Sequence, residues 1–327
     1  MSDAQVMNAL VFERPAPDTS GTSVARVPVP VPGPGEVAIQ VRYAGINFKD
    51  IMARRGDARY VPSWPFVPGV EVSGHVSAVG PDVTGWALGD PVVALTNAGG
   101  LAEVAVARAE LVAPVPKDLP LSQAAAVPGA PTTAVLLVDE IARVRGGDAL
   151  LVHSAAGAVG RSVAEVARQR GVKTLIGTVG AASRVAGAQE AGYDTVIVRG
   201  PDLAAEVRTK VDVVLDPQGT DCLEDDLAVL APGGRIVLFG NAGGNPLNDV
   251  PTGRLFGGNA SVGGFSLEAL SINSPGVVVR AMTEAMNLML RKDLTLPVTE
   301  VGGLSEAATA QQALATGTGE AKYVVRV

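Results

Sequence analysis

The stretch Leu150-Leu151-Val152-His153-Ser154-Ala155-Ala156-Gly157-Ala158-Val159-Gly160 concentrates the chemistry of this chain. An apolar strand runs into a loop of small residues and then into an amphipathic helix. Ala155-x-Gly157-x-x-Gly160 is a dinucleotide fingerprint with alanine in the first glycine position. Small side chains let the backbone approach a pyrophosphate, and the open N–H groups and dipole of the helix start attract it. Ala155, Ala156, Gly157, Ala158, Val159 and Gly160 are the candidate cofactor contacts, with Gly160 letting helix pack onto strand. The second strand selects the dinucleotide, because an NAD site ends it with an acid for the ribose 2′-hydroxyl. Here it runs into Gly177-Thr178-Val179-Gly180-Ala181-Ala182-Ser183-Arg184, with no acid before Glu190. Gly177, Thr178, Ser183 and Arg184 suit a 2′-phosphate instead, and Arg199, after the third strand, is a second cation. NADPH is the expected cofactor.

Metal and thiol chemistry is scarce. The 327 residues hold one cysteine, Cys222, and two histidines, His75 and His153. One cysteine excludes an internal disulfide, a four-cysteine zinc lobe and the usual cysteine-and-histidine catalytic zinc site. Cys222 at a helix start is read as a buried structural thiol, and the two histidines as structural strand residues.

These groups need elements to place them. Before about residue 125 the chain shows short apolar segments, Val37–Val41, Val70–Val79, Val92–Leu95 and Leu101–Val106, separated by Pro and Gly turns. One helical stretch, Asn47–Arg55, interrupts them. That spacing predicts an antiparallel, barrel-like β domain. From Gln123 an Ala-rich, helix-compatible run to Val138 leads into alternating strands and helices. The strands are Ala149–His153, Lys173–Thr178, Thr195–Val198, Val211–Asp216, Arg235–Gly240 and Ala260–Phe265. The helices between them include Val159–Arg170, Ser183–Ala191, Asp202–Thr209 and Leu223–Leu230. Such alternation predicts a doubly wound parallel sheet. The tail adds helices over Val277–Leu290 and Leu304–Leu314 and a last strand, Lys322–Val327, expected to return to the first domain. The domains are expected at 1–126, 127–266 and 267–327.

Composition narrows the class. Hydrophobic residues make up 47% and charged residues 18%, enough apolar material for a core and too much for a disordered chain. The net charge of −7 argues against nucleic acid as a partner. The longest uncharged stretch, Leu119–Val138, is broken by Pro and Gly and does not read as a membrane span. Nor does the N-terminus read as a secretory leader, so a cytoplasmic protein is expected.

Several stretches together resemble the zinc-free quinone oxidoreductase and enoyl reductase branch of the medium-chain dehydrogenase/reductase superfamily. They are Ala44-Gly45-Ile46-Asn47-Phe48-Lys49-Asp50, Pro65-Phe66-Val67-Pro68-Gly69-Val70-Glu71, Val152–Gly160, Leu175–Gly180 and Phe239–Gly244. The resemblance implies a GroES-like β-barrel domain interrupted by a Rossmann domain, with the site in the cleft between them. Zinc members carry Cys where this chain has Asn47 and His where it has Val70, so both ligand positions are vacant. Without a Lewis acid, reduction of an already polarised acceptor is easier than oxidation of an alcohol. The expected reaction is hydride transfer from NADPH to a quinone or α,β-unsaturated carbonyl. An enoyl-thioester reductase and a non-catalytic, crystallin-like dinucleotide binder are the alternatives.

Roles follow by position. Asn47 faces the nicotinamide and the acceptor carbonyl; Asp50, three residues on, orients a neighbour or the loop. Lys49 is read either as polarising a carbonyl or as a surface charge. Tyr60 is read as a proton donor or as a packing aromatic, and Trp64 and Phe66 as pocket walls or loop packing. Thr133 matches a family threonine near the nicotinamide, and Gly240 and Asn241 follow the fifth Rossmann strand at its ligand-binding end. Lys322 resembles a terminal Gly-Lys motif with two residues inserted, and no role is carried to it. The resemblance also implies a homodimer, joined through the edge strand Ala260–Phe265.

Overall fold

In Val37-Ala38-Ile39-Gln40-Val41 the polar Gln40 points outward while Val37, Ile39 and Val41 are buried, as a pleated strand with one face on a core requires. The computed structural model describes residues 5–219, 221–245, 249–319 and 322–327. The chain divides into two units. One comprises Met1–Thr132, Ser274–Leu290 and Pro297–Val327; the other comprises Thr133–Asn273 and Arg291–Leu296.

The first unit is β-rich. Its strands are β1 (Val6–Phe12), β2 (Thr22–Pro28), β3 (Glu36–Gly45), β4 (Glu71–Val79), β5 (Pro91–Leu95), β6 (Val104–Arg108) and β7 (Val112–Pro114). The second unit carries β8 (Ala149–Val152), β9 (Thr174–Val179), β10 (Thr195–Val198), β11 (Val211–Asp216), β12 (Leu230–Leu238) and β13 (Ser261–Gly264). The tail returns β14 (Val298–Val301) and β15 (Lys322–Arg326) to the first unit. There β14-β15-β3-β4-β5-β7 form one sheet, β6 pairs with β3, and β1 pairs antiparallel with β2. The ten-residue β3 organises the unit: β4 lies along one side, and β6 (Glu36–Gln40) and β15 (Tyr43–Gly45) share the other. Phe12, Val37, Ile39, Ile46, Val72 and Leu101 belong to the core beneath.

The second unit has a six-stranded parallel sheet in the order β10-β9-β8-β11-β12-β13. Numbered within the unit this is 3-2-1-4-5-6, the doubly wound Rossmann order, whose ligand crevice opens at the carboxyl ends of the strands flanking the reversal. The central strand β8 buries Leu150, Leu151 and Val152 in an unbroken apolar run, as a parallel strand covered on both faces does. Beside it the helix Ala158–Gln169 turns Gly160, Val163, Ala164 and Ala167 inward at helical spacing.

The sequence reading differs from the structure in several places. β1, β2, β7 and β14 and the helices Thr252–Gly258 and Leu267–Asn273 were not expected, and β12 begins at Leu230 rather than Arg235. The strand expected at Leu101–Val106 starts three residues later, because Leu101 donates its N–H to Pro68 in a loop. The Ala-rich run splits into helices Leu121–Ala124 and Ala130–Val135 and a π-helical turn Leu136–Ile141. The break falls at Pro128, which has no N–H, whereas Pro131 is tolerated in a first turn. The helix expected over Asp202–Thr209 covers only Leu203–Glu206, since Val207 is extended. Among the described residues no helix is long and apolar enough to cross a membrane.

Candidate active site

The helix Phe48–Arg54 starts directly behind β3, with Asn47 as its N-cap. Asp50 Oδ2 accepts the Asn47 N–H at 2.8 Å, the reciprocal half of a capping box. Its Oδ1 accepts the Gly69 N–H at 3.0 Å. One buried carboxylate thus ties the helix start to the loop before β4. Burial pushes the Asp50 carboxyl up to about 6, against the Asn47 and Gly69 hydrogen bonds and the Lys322 ammonium, which hold it down.

The Asn47 side chain is held at both ends. Its Nδ2 donates to Glu71 Oε1 at 2.7 Å, and its Oδ1 accepts from Lys322 Nζ at 2.8 Å. An ammonium only donates and a carboxylate only accepts, so the amide has one possible orientation. Lys322 also forms an ion pair with Glu71 and donates to Ile46 O at 2.9 Å. The second Glu71 oxygen accepts the Gly129 N–H at 2.6 Å. A Cβ on Gly129 would stand 2.9 Å from both Asn47 Oδ1 and Glu71 Oε2, so only glycine lets this loop close on the cluster. The ion pair is withdrawn from water: the side chains are 2% and 0% exposed.

Lys49, Asp50 and Tyr60 line one small pocket together with Phe66, Val70 and Asn97. Lys49 Nζ lies 5.1 Å from the centre of the Tyr60 ring, and the Arg59 guanidinium lies 5.4 Å from it. Asn47 is not among the residues lining this pocket. Trp64 packs on the core of the unit, while Phe66 both packs there and walls the pocket.

In the second unit Gly157 is the N-cap of the helix Ala158–Gln169. A Cβ on Gly160 would lie 2.6 Å from Ser154 O and 2.7 Å from Ala155 Cα, a close approach that excludes any side chain. Tyr193 braces this turn by donating its hydroxyl to Gly160 O at 2.7 Å. Beyond β9, Arg199 reaches back to Thr178 Oγ1 (3.3 Å) and over Gly180, where a Cβ would meet its Nη2 at 3.1 Å. Gly177 and Thr178 are buried in β9, Ser183 is exposed, and Arg184 is half-buried in the 3-10 turn Ala182–Arg184. Thr133 is buried in the helix Ala130–Val135. Gly240 packs against Pro217, which a Cβ would meet at 2.7 Å. Asn241 donates to Asn245 O, and its buried Oδ1 has no partner among the described residues.

His153, Asp216 and Cys222 bring ligand-type atoms within 4.8 Å of one another. Both His153 ring nitrogens are engaged, by Thr178 and Asp226. Burial, with Asp216 and Asp226 nearby, pushes the Cys222 thiol up to about 12. A protonated thiol beside an engaged imidazole is a poor donor set for a cation.

Two family models match, the alcohol dehydrogenase GroES-like domain over residues 33–117 and the zinc-binding dehydrogenase over residues 158–284. A quinone oxidoreductase of Pseudomonas aeruginosa is 32% identical over 293 residues, covering 86% of this chain and 87% of that protein. The chain belongs to the quinone oxidoreductase branch of the medium-chain dehydrogenase/reductase superfamily. A further relative is a synaptic vesicle membrane protein VAT-1 homolog-like of Mus musculus, 35% identical over 249 residues. That match covers 74% of this chain and spans 58% of the relative's length. A mycobacterial protein solved in complex with NADPH superposes with a TM-score of 0.89 at 30% identity, covering 98% of this chain and 100% of that one.

The residues of this family member fit the dinucleotide its family implies. The Gly160 turn leaves no room for a Cβ, Asn241 keeps a buried orphan oxygen, and a cation rather than a carboxylate stands at the end of β9. Sequence reasoning assigned no role to Glu71 or Lys322, which complete the Asn47 cluster. It also passed over Asp216, which accepts the Gln218 and Gly219 N–H groups behind β11. A signal was available: Glu71 heads one apolar strand and Lys322 another, and two opposite charges on buried strands have to find each other. The gap between Gly319 and Lys322 obscured it; Glu320 and Ala321 lie outside the described residues.

Proposed function

We propose that this oxidoreductase is a zinc-independent reductase that takes NADPH and reduces a quinone or another conjugated carbonyl. The observation that carries the reading is the clamped Asn47 amide. Glu71 and Lys322 fix its orientation, and its second Nδ2 hydrogen is a pre-oriented donor for an acceptor oxygen. The Lys322 ammonium and the Glu71 carboxylate offset each other, so what the pair supplies is a fixed amide rather than a net charge. Val70, in the place of a zinc-ligating histidine, offers no ligand atom, and both ends of Asn47 are already bonded.

When bound, NADPH supplies the hydride. The Ser154–Gly160 turn and the start of the helix Ala158–Gln169 hold its pyrophosphate, and Arg199 meets the 2′-phosphate, with Arg184 and Ser183 further out. Asp50 holds Asn47 and Gly69 in place and shares its pocket with Lys49 and Tyr60. The proton that completes quinone reduction comes from water or from Tyr60. The edge strand β13 is where a second copy of the chain would extend the sheet, which a mass measurement in solution checks.

The decisive assay follows NADPH oxidation with benzoquinone, naphthoquinone, enones and crotonyl thioesters, with and without a chelator. Chelator-insensitive quinone or enone turnover is expected. Tight NADPH binding without turnover of any acceptor would overturn the reading. Thioesters turned over far better than quinones would move it to an enoyl-thioester reductase.

A further inference from the structure

Behind Arg199 lies a buried polar chain that neither cofactor contact nor packing accounts for. His153, just past β8, and Asp226, in the helix Leu223–Val229, have side chains with no exposure at all. His153 Nε2 lies 2.7 Å from Asp226 Oδ1, and Nδ1 lies 2.8 Å from Thr178 Oγ1. Thr178, itself fully buried in β9, receives Arg199 Nη1 at 3.3 Å. Four residues from four segments therefore form one line from a buried carboxylate to a half-buried guanidinium.

The two ends give the line a direction. The guanidinium can only donate, and an ionised carboxylate can only accept. With a neutral imidazole, His153 gives its Nε2–H to Asp226, and Nδ1 takes the Thr178 proton. The Thr178 oxygen then turns its lone pairs to Arg199. Without an acceptor at Nε2 the imidazole would favour the other tautomer, and its Nδ1–H would occupy the Thr178 oxygen. Burying such groups costs desolvation, and apolar residues of similar volume would pack as well. What the chain achieves is geometric: it holds one edge of the Arg199 guanidinium over Gly180, where the absence of a side chain leaves it room. Among the described residues only part of the five-donor fork is used, and the rest suits a phosphate dianion.

We propose that His153 and Asp226 are positioning residues of a 2′-phosphate subsite, aiming Arg199 through the Thr178 hydroxyl and so setting the preference for NADPH over NADH. This rests on the NADPH reading above. NADH lacks the 2′-phosphate but shares every other contact. A positioning role therefore weakens NADPH alone, whereas a merely structural role weakens both dinucleotides.

The test measures dissociation constants for NADPH and NADH by fluorescence titration, with melting temperatures as a check on folding. Arg199→Ala sets the scale and is expected to cut the NADPH-to-NADH affinity ratio about tenfold or more, the weight of charge-assisted hydrogen bonds. Thr178→Val and Asp226→Leu are expected to lower the ratio several-fold with NADH affinity unchanged, and Thr178→Ser to keep it. Equal losses for both dinucleotides, or an unchanged ratio, in folded Thr178→Val would overturn the inference. If Asp226→Leu does not fold, the Thr178→Val and Thr178→Ser pair decides alone. A wild-type protein without NADPH preference, or one indifferent to Arg199→Ala, overturns the NADPH reading itself.

Discussion

Under the proposed function, the Asn47 cluster and the Ser154–Gly160 turn meet the same demand, donors where negative charge arrives, by opposite means. The turn in the second unit is contiguous: Ala155 and Gly157 give their N–H groups to Thr178 O and Ser154 O, which shapes the loop so that the first turn of the helix Ala158–Gln169 is left to meet a charge, and its work depends on side chains being small. The cluster in the first unit is assembled from Asn47, Glu71, Gly129 and Lys322, with 275 positions between its ends, and depends on full charges withdrawn from water. A site of backbone dipoles is robust to the loss of any one side chain. A site of buried charges is not, because each partner left behind is a desolvated ion.

The largest effect should therefore come from Lys322→Met. It leaves Glu71 buried with only Asn47 and Gly129 as donors, and breaking such a pair costs about 3–5 kcal/mol. Chemical denaturation should show the loss, and acceptor turnover should fall with it. Adding Glu71→Gln removes the stranded charge, so the double variant is expected to regain most of the stability and none of the turnover. A double variant as unstable as the single one would show that Lys322 acts by packing, not by charge.

Asp50 gives the next effect. Its carboxyl, pushed up to about 6 from 3.8, binds a proton in the folded chain that the unfolded chain releases at lower pH. Its stabilising contribution is complete below the unfolded value and is lost as pH rises through 6. Between pH 4 and 7 the stability of wild type relative to Asp50→Asn should fall by about 2 kcal/mol, the worth of a little under two pH units. Because Lys322 holds this pKa down, the fall of the difference curve should move to higher pH in a Lys322→Met background. A flat difference curve would remove Asp50 from the account.

The same contrast explains what was legible in the sequence. The dinucleotide turn was readable because strand, loop and helix follow one another, and each reports its own geometry through local residue types. The parallel sheet was readable for the same reason, since every βα unit is local. Lys322 was not, because its importance arises only when β15 pairs with β3 and brings Lys322 against Asn47 and Ile46. Arg199 stood between these cases. Its type was visible, but its reach over Gly180 depends on the pairing of β10 with β9. Asn47 was read from its position alone, and the structure adds that Glu71 and Lys322 fix the face of its amide.

Gly160→Ala tests the contiguous site on its own terms. The added methyl would meet Ser154 O and Ala155 Cα at 2.6 and 2.7 Å, both backbone or backbone-linked atoms that cannot swing aside. Overpacking of this kind costs about 1–3 kcal/mol, and the turn must open to accept it. Both NADPH and NADH should bind more weakly, and by the same factor, since the pyrophosphate is common to both. Loss confined to NADPH would mean that the turn contacts the 2′-phosphate end instead.

The smallest effect is expected at Arg184, and it separates two cations that looked alike in the sequence. Arg184 sits half-buried in the 3-10 turn Ala182–Arg184, on the solvent side of the unit beside the exposed Ser183. Arg199 is instead braced by Thr178, and a guanidinium held in place loses less rotamer freedom on meeting a phosphate. A cation partly in solvent contributes about 0–1 kcal/mol to an ion pair. Arg184→Ala should therefore change the NADPH-to-NADH affinity ratio only slightly, and what change there is should vanish in high salt, where exposed charges are screened. The Arg199→Ala effect should survive the same salt. If the two variants lose NADPH equally, the phosphate is gripped from the helix side as much as from β10, and the distinction between a braced and an unbraced cation falls.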